Sequence, residues 1–155
     1  MGTVDELNSH LGLIKAMLSN ENTWQFSWLS ACNFIEKIQK KLMKLMSHTL
    51  DVKNCNHFFS VNDVKELEFE IGRLTAHIPK TTKFVVPGKN IIEAQIHIGR
   101  TVARRAERLF AAVNEEQPLC PQAASYLNKL SDYLFFLSQQ ESSINVNFIN
   151  QISGI

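Results

Sequence analysis

The chain has 155 residues, of which 45% are hydrophobic and 20% charged, a size and composition typical of one globular domain with a sizeable core. Sixteen basic and fifteen acidic side chains leave a net charge of +1, which argues against a strongly basic nucleic-acid-binding protein and against a highly charged disordered chain. Three cysteines without a CxxC pair argue against a zinc ribbon, no apolar run is long enough to span a membrane, and without a recognisable targeting segment we expect a cytoplasmic protein.

Apolar residues at spacings of three and four predict five helices in chain order. We expect them over about 4–18, 27–49, 61–77, 90–114 and 121–140. The predicted core stripes are Val4, Leu7, Leu11, Ile14 and Leu18; Ala31, Ile35, Ile38, Leu42 and Leu45; Val64, Leu67, Ile71, Leu74 and Ile78; Ile92, Ile96, Ala103, Ala106, Phe110 and Val113; and Leu127, Leu130, Leu134 and Leu137. Thr3 and Glu6 have the spacing of a capping box for the first helix.

Residues 1–141 are predicted to form the helical domain, and residues 142–155 a C-terminal tail, for which a short strand and a docked tail are the two alternatives. Five helices joined by short connections predict an all-α fold, an antiparallel bundle. Further apolar residues lie off the main stripe of the fourth helix and indicate contact with a partner subunit. They are Ile91, Ile98 and Val102.

The fourth helix carries a cluster of arginines in the segment Arg100-Thr-Val-Ala-Arg104-Arg105-Ala-Glu107-Arg108. Helical spacing puts Arg100, Arg104 and Arg108 on one side, where crowded like charges cost a few tenths of a kcal/mol per pair. A bound phosphate or carboxylate would remove that cost, because the planar guanidinium binds such groups through two hydrogen bonds. The alternative is a solvated face with local ion pairs.

Other polar residues have both a functional and a structural interpretation. Asn128 borders the apolar stripe of the fifth helix and can bond a ligand or its neighbours. Asp5 lies in the first turn of the first helix, where the helix dipole favours a negative charge, and Asn8 follows it one turn later. Phe84 precedes the fourth helix and could be a ligand contact or a core side chain. A metal site is disfavoured, because no structural zinc spacing is formed by His48, Asp51, Cys55 and His57.

Four segments of the chain carry more specific motifs. They are Gly2-Thr-Val-Asp5-Glu6-Leu-Asn8-Ser9-His-Leu-Gly12, Phe84-Val-Val-Pro87-Gly88, Arg100-Thr-Val-Ala-Arg104-Arg105-Ala-Glu107-Arg108 and Tyr126-Leu-Asn128-Lys129-Leu-Ser131-Asp132-Tyr133-Leu134-Phe135. In order and approximate spacing, these segments resemble the PduO-type ATP:cob(I)alamin adenosyltransferases. The resemblance extends over nearly the whole chain, and the third and fourth segments are its most specific parts.

The resemblance implies a homotrimer of five-helix bundles, each a ferritin-like four-helix core with one further helix, with active sites between subunits. It implies transfer of the 5′-deoxyadenosyl group of ATP to cob(I)alamin, giving adenosylcobalamin and triphosphate, with Mg²⁺ on the triphosphate. The reduced cobalt is itself the nucleophile, so the protein needs no base. It must hold the leaving group, direct C5′ at cobalt and ease the reduction of cobalt.

The same resemblance implies roles for individual residues. Arg104 would lie at the nucleotide and pair with Asp5 across the subunit boundary, and Phe84 would pack under the corrin and keep the lower axial ligand off cobalt. Further contacts at the binding site would come from Arg108, Glu107, Asn128, Arg100 and Asn8. No residue is assigned to a metal, and no nucleic acid or membrane is expected as a partner.

The sequence departs from the family pattern at two places. A Thr- and Gly-rich phosphate loop, of the form T-x-T-G-D-x-G-x-T, precedes the first helix in the family, whereas here Met1 lies three residues before Val4. An alternative is therefore an impaired or inactive truncated relative that retains the trimeric fold and could retain corrinoid binding. The usual Pro-Gly-Gly turn is Pro87-Gly88-Lys89, and Lys129 replaces an arginine, which keeps the charge but loses the bidentate fork.

Overall fold

A computed structural model describes residues 1–20, 26–48, 59–76, 78, 85–116 and 120–153 of the chain. Within these residues the fold consists of five α-helices without a β-strand, which confirms the all-α prediction. The helices are α1 (Gly2–Asn20), α2 (Phe26–His48), α3 (Val61–Thr75), α4 (Ile91–Glu116) and α5 (Pro121–Ser153). None of these described helices combines the length and apolarity needed to cross a bilayer.

The helices form an up-and-down bundle in which α1, α3 and α5 run in one direction and α2 and α4 in the other. The contacts between neighbouring helices show these directions, because in an antiparallel pair the residues early in one helix contact residues late in the other. The contacts are Asn8–Gln39 and Lys15–Glu36 for α1 and α2, Lys37–Glu66 and Lys41–Asp63 for α2 and α3, Glu6–Arg105 and His10–Gln95 for α1 and α4, and Gly99–Leu134 and Glu107–Asn128 for α4 and α5.

The predicted apolar stripes form the core almost as expected. Every member of the α1, α2 and α5 stripes is buried, as are all α4 members except Val113, which is 47% exposed. Val113 lies near the end of α4, where the helix borders an open groove instead of a covering helix. The α3 stripe is less deeply buried, since only Leu67 and Leu74 are fully inside. The apolar stripe of α4 therefore attaches that helix firmly to the bundle along most of the length of the helix.

The α4 helix approaches α1 and α5 most closely at Gly99. A Cβ atom at this position would lie 3.1 Å from Ile14 Cδ1 and 3.8 Å from Leu134 Cδ1, so a larger residue would require the Ile14 side chain to shift. This close contact fixes the rotation of α4 about its own axis. The direction of its charged side chains then follows from the helical period of 3.6 residues.

Two sequence-based expectations about helix ends were wrong. The α1 helix begins at Gly2, and the N–H groups of Val4 and Asp5 donate to the Met1 carbonyl at 2.9 and 3.2 Å. Thr3 is therefore inside the helix and cannot act as its N-cap. The α5 helix continues to Ser153 instead of ending near residue 140, so residues 142–153 are helical and do not form a short strand. No Gly or Pro interrupts the sequence after Pro121 in this helix, and Asn and Ser disfavour a helix only weakly.

The core packing predicts different effects for two leucines of α2. Leu42 is fully buried, whereas Leu29 is 62% exposed. We expect Leu42→Ala to lower the free energy of unfolding by roughly 2–5 kcal/mol through lost burial and the resulting cavity. The matched Leu29→Ala change should cost less than about 0.5 kcal/mol. Urea unfolding followed by circular dichroism measures both, and equal losses would contradict the assignment of the core.

Candidate functional site

The candidate site is built on a stripe of α4 that runs along the helix beside the core stripe. The part of this stripe nearer the C-terminus of α4 consists of Arg100, Arg104, Glu107 and Arg108, which the spacings of three and four bring to one side. Arg104 and Arg108 are exposed, whereas Arg100 and Glu107 are half-buried. The predicted arginine face therefore exists on a helix that is fixed by the core.

Two predicted site residues on different helices are brought together by the packing of α4 on α5. Asn128 Nδ2 donates a hydrogen bond of 2.7 Å to Glu107 Oε1. The two residues are 21 positions apart in the chain, and the antiparallel arrangement of the helices makes them neighbours. This bond orients both side chains beside the exposed arginines.

The arginines on this helix differ in whether their charge is paired. Arg105 points to the other flank of α4 and forms an ion pair with Glu6 of α1. Arg104 and Arg108 form no ion pair or hydrogen bond with the rest of the described chain. Two guanidinium groups one turn apart thus present uncompensated positive charge, the condition under which a bound polyanion is favoured.

The predicted site residues of α1 lie on a different part of the surface. Asp5 is exposed and forms no ion pair with Arg104 within the chain. Asn8 is half-buried, and its carbonyl accepts a hydrogen bond of 3.1 Å from Gln39 Nε2 while its Oδ1 is buried without a donor among the described residues. A single chain therefore does not join the α1 residues to the arginine stripe.

Lys129, which replaces the expected arginine, belongs to the connection between α5 and α3. Its Nζ lies 3.3 Å from Glu68 Oε1, and both side chains are partly exposed. The charge that this position keeps is thus paired with α3, away from the Glu107–Asn128 hydrogen bond.

The buried end of the α4 stripe contains a polar pair that the sequence analysis missed. Glu93 is fully buried and His97 is 5% exposed, with Glu93 Oε1 and His97 Nε2 at 3.1 Å. Burial lowers the pKa of His97; the Glu93 charge opposes this shift and the Arg100 charge adds to it. The signal in the sequence was the spacing of four between an acid and a histidine, on the same stripe as Arg100.

The segment before α4 is held by this pair. Gly88 N and Lys89 N donate to Glu93 Oε2 at 2.7 and 3.1 Å, and Asn90 caps the helix by accepting from Glu93 N at 2.8 Å. Gly88 has a φ of 111°, a conformation that L side chains rarely adopt. Phe84, the predicted corrin contact, lies outside the described residues.

The described residues contain no group of three or more His, Cys, Asp or Glu side chains that could hold a metal ion. Four side chains were considered for a metal site in the sequence. Asp51, Cys55 and His57 lie outside the described part of the chain, and His48 ends α2 with a side chain that is outside the description.

Two surface grooves lie away from this stripe. One, of about 260 Å³, is apolar and lies on the opposite flank of α4, between Val4, Leu45 and Phe110. The other, of about 210 Å³, lies between α2 and α3 and is lined by lysines. Two of these lysines, Lys37 and Lys41, pair with acidic residues of α3 at 2.8 and 2.7 Å. Neither groove therefore offers unpaired arginines to an anion.

Comparison with known proteins gives consistent results. The family of cobalamin adenosyltransferases matches residues 1–141 of the chain. A corrinoid adenosyltransferase of Citrobacter freundii is 34% identical over 143 residues, covering 92% of this chain and 78% of the relative. The human corrinoid adenosyltransferase is 28% identical over 140 residues, covering 90% of this chain and 56% of the relative.

Solved structures agree with these matches. A variant PduO-type ATP:corrinoid adenosyltransferase from Lactobacillus reuteri, complexed with cobalamin and ATP, is similar with a TM-score of 0.78 and 26% identity over 93% of this chain and 76% of that one. A second variant from the same organism, complexed with ATP, has a TM-score of 0.70 and 26% identity over 97% of this chain and 80% of that one.

The buried His97 predicts a pH dependence of stability. Its pKa is lower in the folded chain than the ordinary value of 6.5, so the unfolded chain binds the proton first and stability falls as the pH falls. The stabilising contribution is complete above pH 6.5 and is lost from there down towards the folded pKa. Urea titrations give the free energy of unfolding of the parent and of His97→Gln. We expect the parent value minus the variant value to decrease as the pH falls through this range. Parallel pH profiles would contradict a neutral, buried His97.

Proposed function

Because the chain belongs to the cobalamin adenosyltransferase family, we propose that it transfers the 5′-deoxyadenosyl group of ATP to cob(I)alamin. The electron pair of Co(I) forms the cobalt–carbon bond at C5′. The C5′–oxygen bond breaks, and triphosphate leaves with that bonding pair. The products are adenosylcobalamin and triphosphate, so the reaction consumes no further oxidant or reductant.

This chemistry sets the tasks of the protein. Cob(I)alamin supplies the nucleophile, so the chain needs no general base. The main tasks are to hold C5′ in line with cobalt and to stabilise the negative charge that develops on the triphosphate. Both tasks require fixed positive charge at the nucleotide.

The observation that carries the proposal is the unpaired charge of Arg104 and Arg108. Both guanidinium groups are exposed and without a partner in the described chain, while their neighbour Arg105 is neutralised by Glu6. They hold the triphosphate, and Arg104 stabilises the negative charge that develops on it in the transition state. Arg100, on the same stripe, contacts the nucleotide next to them.

Glu107 and Asn128 orient the nucleoside. Asn128 uses one N–H of its amide to bond Glu107 at 2.7 Å, which leaves its Oδ1 as an acceptor for a hydroxyl or amino group of ATP. A bond between the two side chains reduces the conformational freedom that ATP binding would otherwise remove.

The remaining assignments concern the neighbouring subunit and the corrin. In the homotrimer that we propose, Asp5 of one protomer pairs with Arg104 of the next, and Asn8 lies at the same boundary. Phe84 packs under the corrin and keeps the lower axial ligand off cobalt. ATP binds as its Mg²⁺ complex, with the ion on the triphosphate. A cytoplasmic location stays a prediction from the sequence.

Removal of the Arg104 guanidinium should strongly reduce transfer. A charge-assisted contact to the leaving group is worth roughly 2–4 kcal/mol, so we expect Arg104→Ala to lower kcat/KM for ATP by about 30- to 1,000-fold. Arg105→Ala is the matched control, because it removes the same charge from the other flank, and it should cost less than about 3-fold. Cob(I)alamin consumption, followed by its absorbance under anaerobic conditions, measures both. Equal rates for parent and Arg104→Ala would disprove the site assignment.

The proposed subunit boundary can be tested by complementation. We expect a trimer in analytical ultracentrifugation and low activity for Asp5→Ala and Arg104→Ala expressed separately. In co-expressed mixtures, roughly a quarter of the boundaries combine an intact Asp5 with an intact Arg104 and should recover transfer.

One control sharpens this complementation test. Co-expression of Arg104→Ala with Arg100→Ala should not recover transfer, because both arginines lie on α4 of the same protomer and no boundary then has both intact. Co-expression of the two proposed partners that gives no more activity than the separate variants would show that they do not meet across a boundary.

A further inference from the structure

Three neighbouring polar side chains on one stripe of α4 define a polar connection, a row of adjacent groups that runs from the segment before the helix to the arginine face. They are Glu93, His97 and Arg100, at spacings of four and three. Glu93 is fully buried, His97 nearly so, and Arg100 is half-buried. The connection thus starts in the interior and ends where the exposed arginines begin.

The inner end of this connection is fixed by backbone donors. Glu93 Oε2 accepts from Gly88 N at 2.7 Å and from Lys89 N at 3.1 Å. Two such bonds hold the carboxylate plane in one orientation, and the left-handed conformation of Gly88 helps to direct these N–H groups inward. The second oxygen, Oε1, then faces the His97 ring.

The middle of the connection assigns the histidine tautomer. Arg100 Nε donates to His97 Nδ1 at 3.3 Å, so Nδ1 carries a lone pair and the proton of the neutral ring lies on Nε2. Nε2 lies 3.1 Å from Glu93 Oε1 without the alignment of a hydrogen bond, and neither atom has a hydrogen-bond partner among the described residues. The ring therefore lies between the carboxylate on one side and the guanidinium on the other, bonded to the guanidinium.

We propose that Glu93 and His97 are positioning residues that hold the Arg100 guanidinium in the orientation in which it contacts ATP. The inference rests on the proposed function, because it takes Arg100 as a nucleotide contact. Neither positioning residue touches the substrate. They act by engaging Nε of Arg100, which directs the two Nη groups of that side chain away from the bundle.

A purely structural role explains these residues less well. Burial of a carboxylate and an imidazole is unfavourable unless their polar atoms are satisfied, and apolar side chains could fill the same space. The backbone bonds to Gly88 and Lys89 explain Glu93 alone. They do not require the ring of His97 to accept from Arg100.

MgATP binding, measured by isothermal titration calorimetry on the full chain, tests the proposal. We expect His97→Phe, which keeps the ring shape but removes both nitrogens, to raise the Kd for MgATP by about tenfold. His97→Asn, whose Oδ1 can still accept from Arg100, should stay within about 2-fold of the parent. Gln95→Leu is the control. Gln95 is on α4, like His97, and the change removes its hydrogen bond of 2.7 Å to His10 of α1 without touching Arg100.

Non-additivity separates positioning from general destabilisation. In an Arg100→Ala background, His97→Phe should have no further effect on Kd, because the side chain that it positions is absent. Equal Kd values for the parent and His97→Phe, or fully additive effects in the double variant, would overturn the inference. A parent that does not bind MgATP would instead contradict the proposed function.

The tautomer gives a test that needs no substitution at His97. Long-range ¹⁵N–¹H spectra of the histidine rings should show His97 as the neutral form with the proton on Nε2, and the Nδ1 resonance should shift in Arg100→Ala. A proton on Nδ1, or no response to the loss of Arg100, would overturn the inference even where His97→Phe does not fold.

Discussion

The packing of one side of α4 into the bundle is the constraint on which the rest of the site depends. Ile96 and Ala103 are fully buried, and Gly99 lets the helix approach Ile14 of α1 at side-chain contact distance. A helix held in this way cannot rotate about its axis. Residues on the neighbouring stripe therefore have a set direction, and Arg104 and Arg108 reach solvent without a hydrogen bond or ion pair to the described chain.

The distribution of paired and unpaired charge supports the site that we propose. Most basic residues around the bundle are neutralised locally, as Arg105 is by Glu6, Lys129 by Glu68 and Lys41 by Asp63. Such pairs contribute little to stability when exposed. Arg104 and Arg108 differ because neither forms an ion pair with an acid of the described chain. Their charge is available to a polyphosphate or to a neighbouring subunit.

The sequence predicted the fold well because the apolar stripes are long and periodic. All members of the α1, α2 and α5 stripes are buried, and the arginine motif with Asn128 identified one real cluster. The errors fall where local signals are weak. Thr3 matched a capping pattern although the chain can begin its helix earlier, and the Asn- and Ser-rich residues after 141 continue α5 because nothing in the sequence stops it.

The sequence alone determined which residues form helices, which stripes are apolar and that guanidinium groups gather on the fourth helix, because these features depend on spacing within one segment. Only the tertiary structure decided that Glu107 meets Asn128, that Arg105 is neutralised while Arg104 is not, and that Glu93 and His97 are buried. These facts depend on which segments pack beside α4. Contacts between residues distant in the chain leave no periodic signal in the sequence.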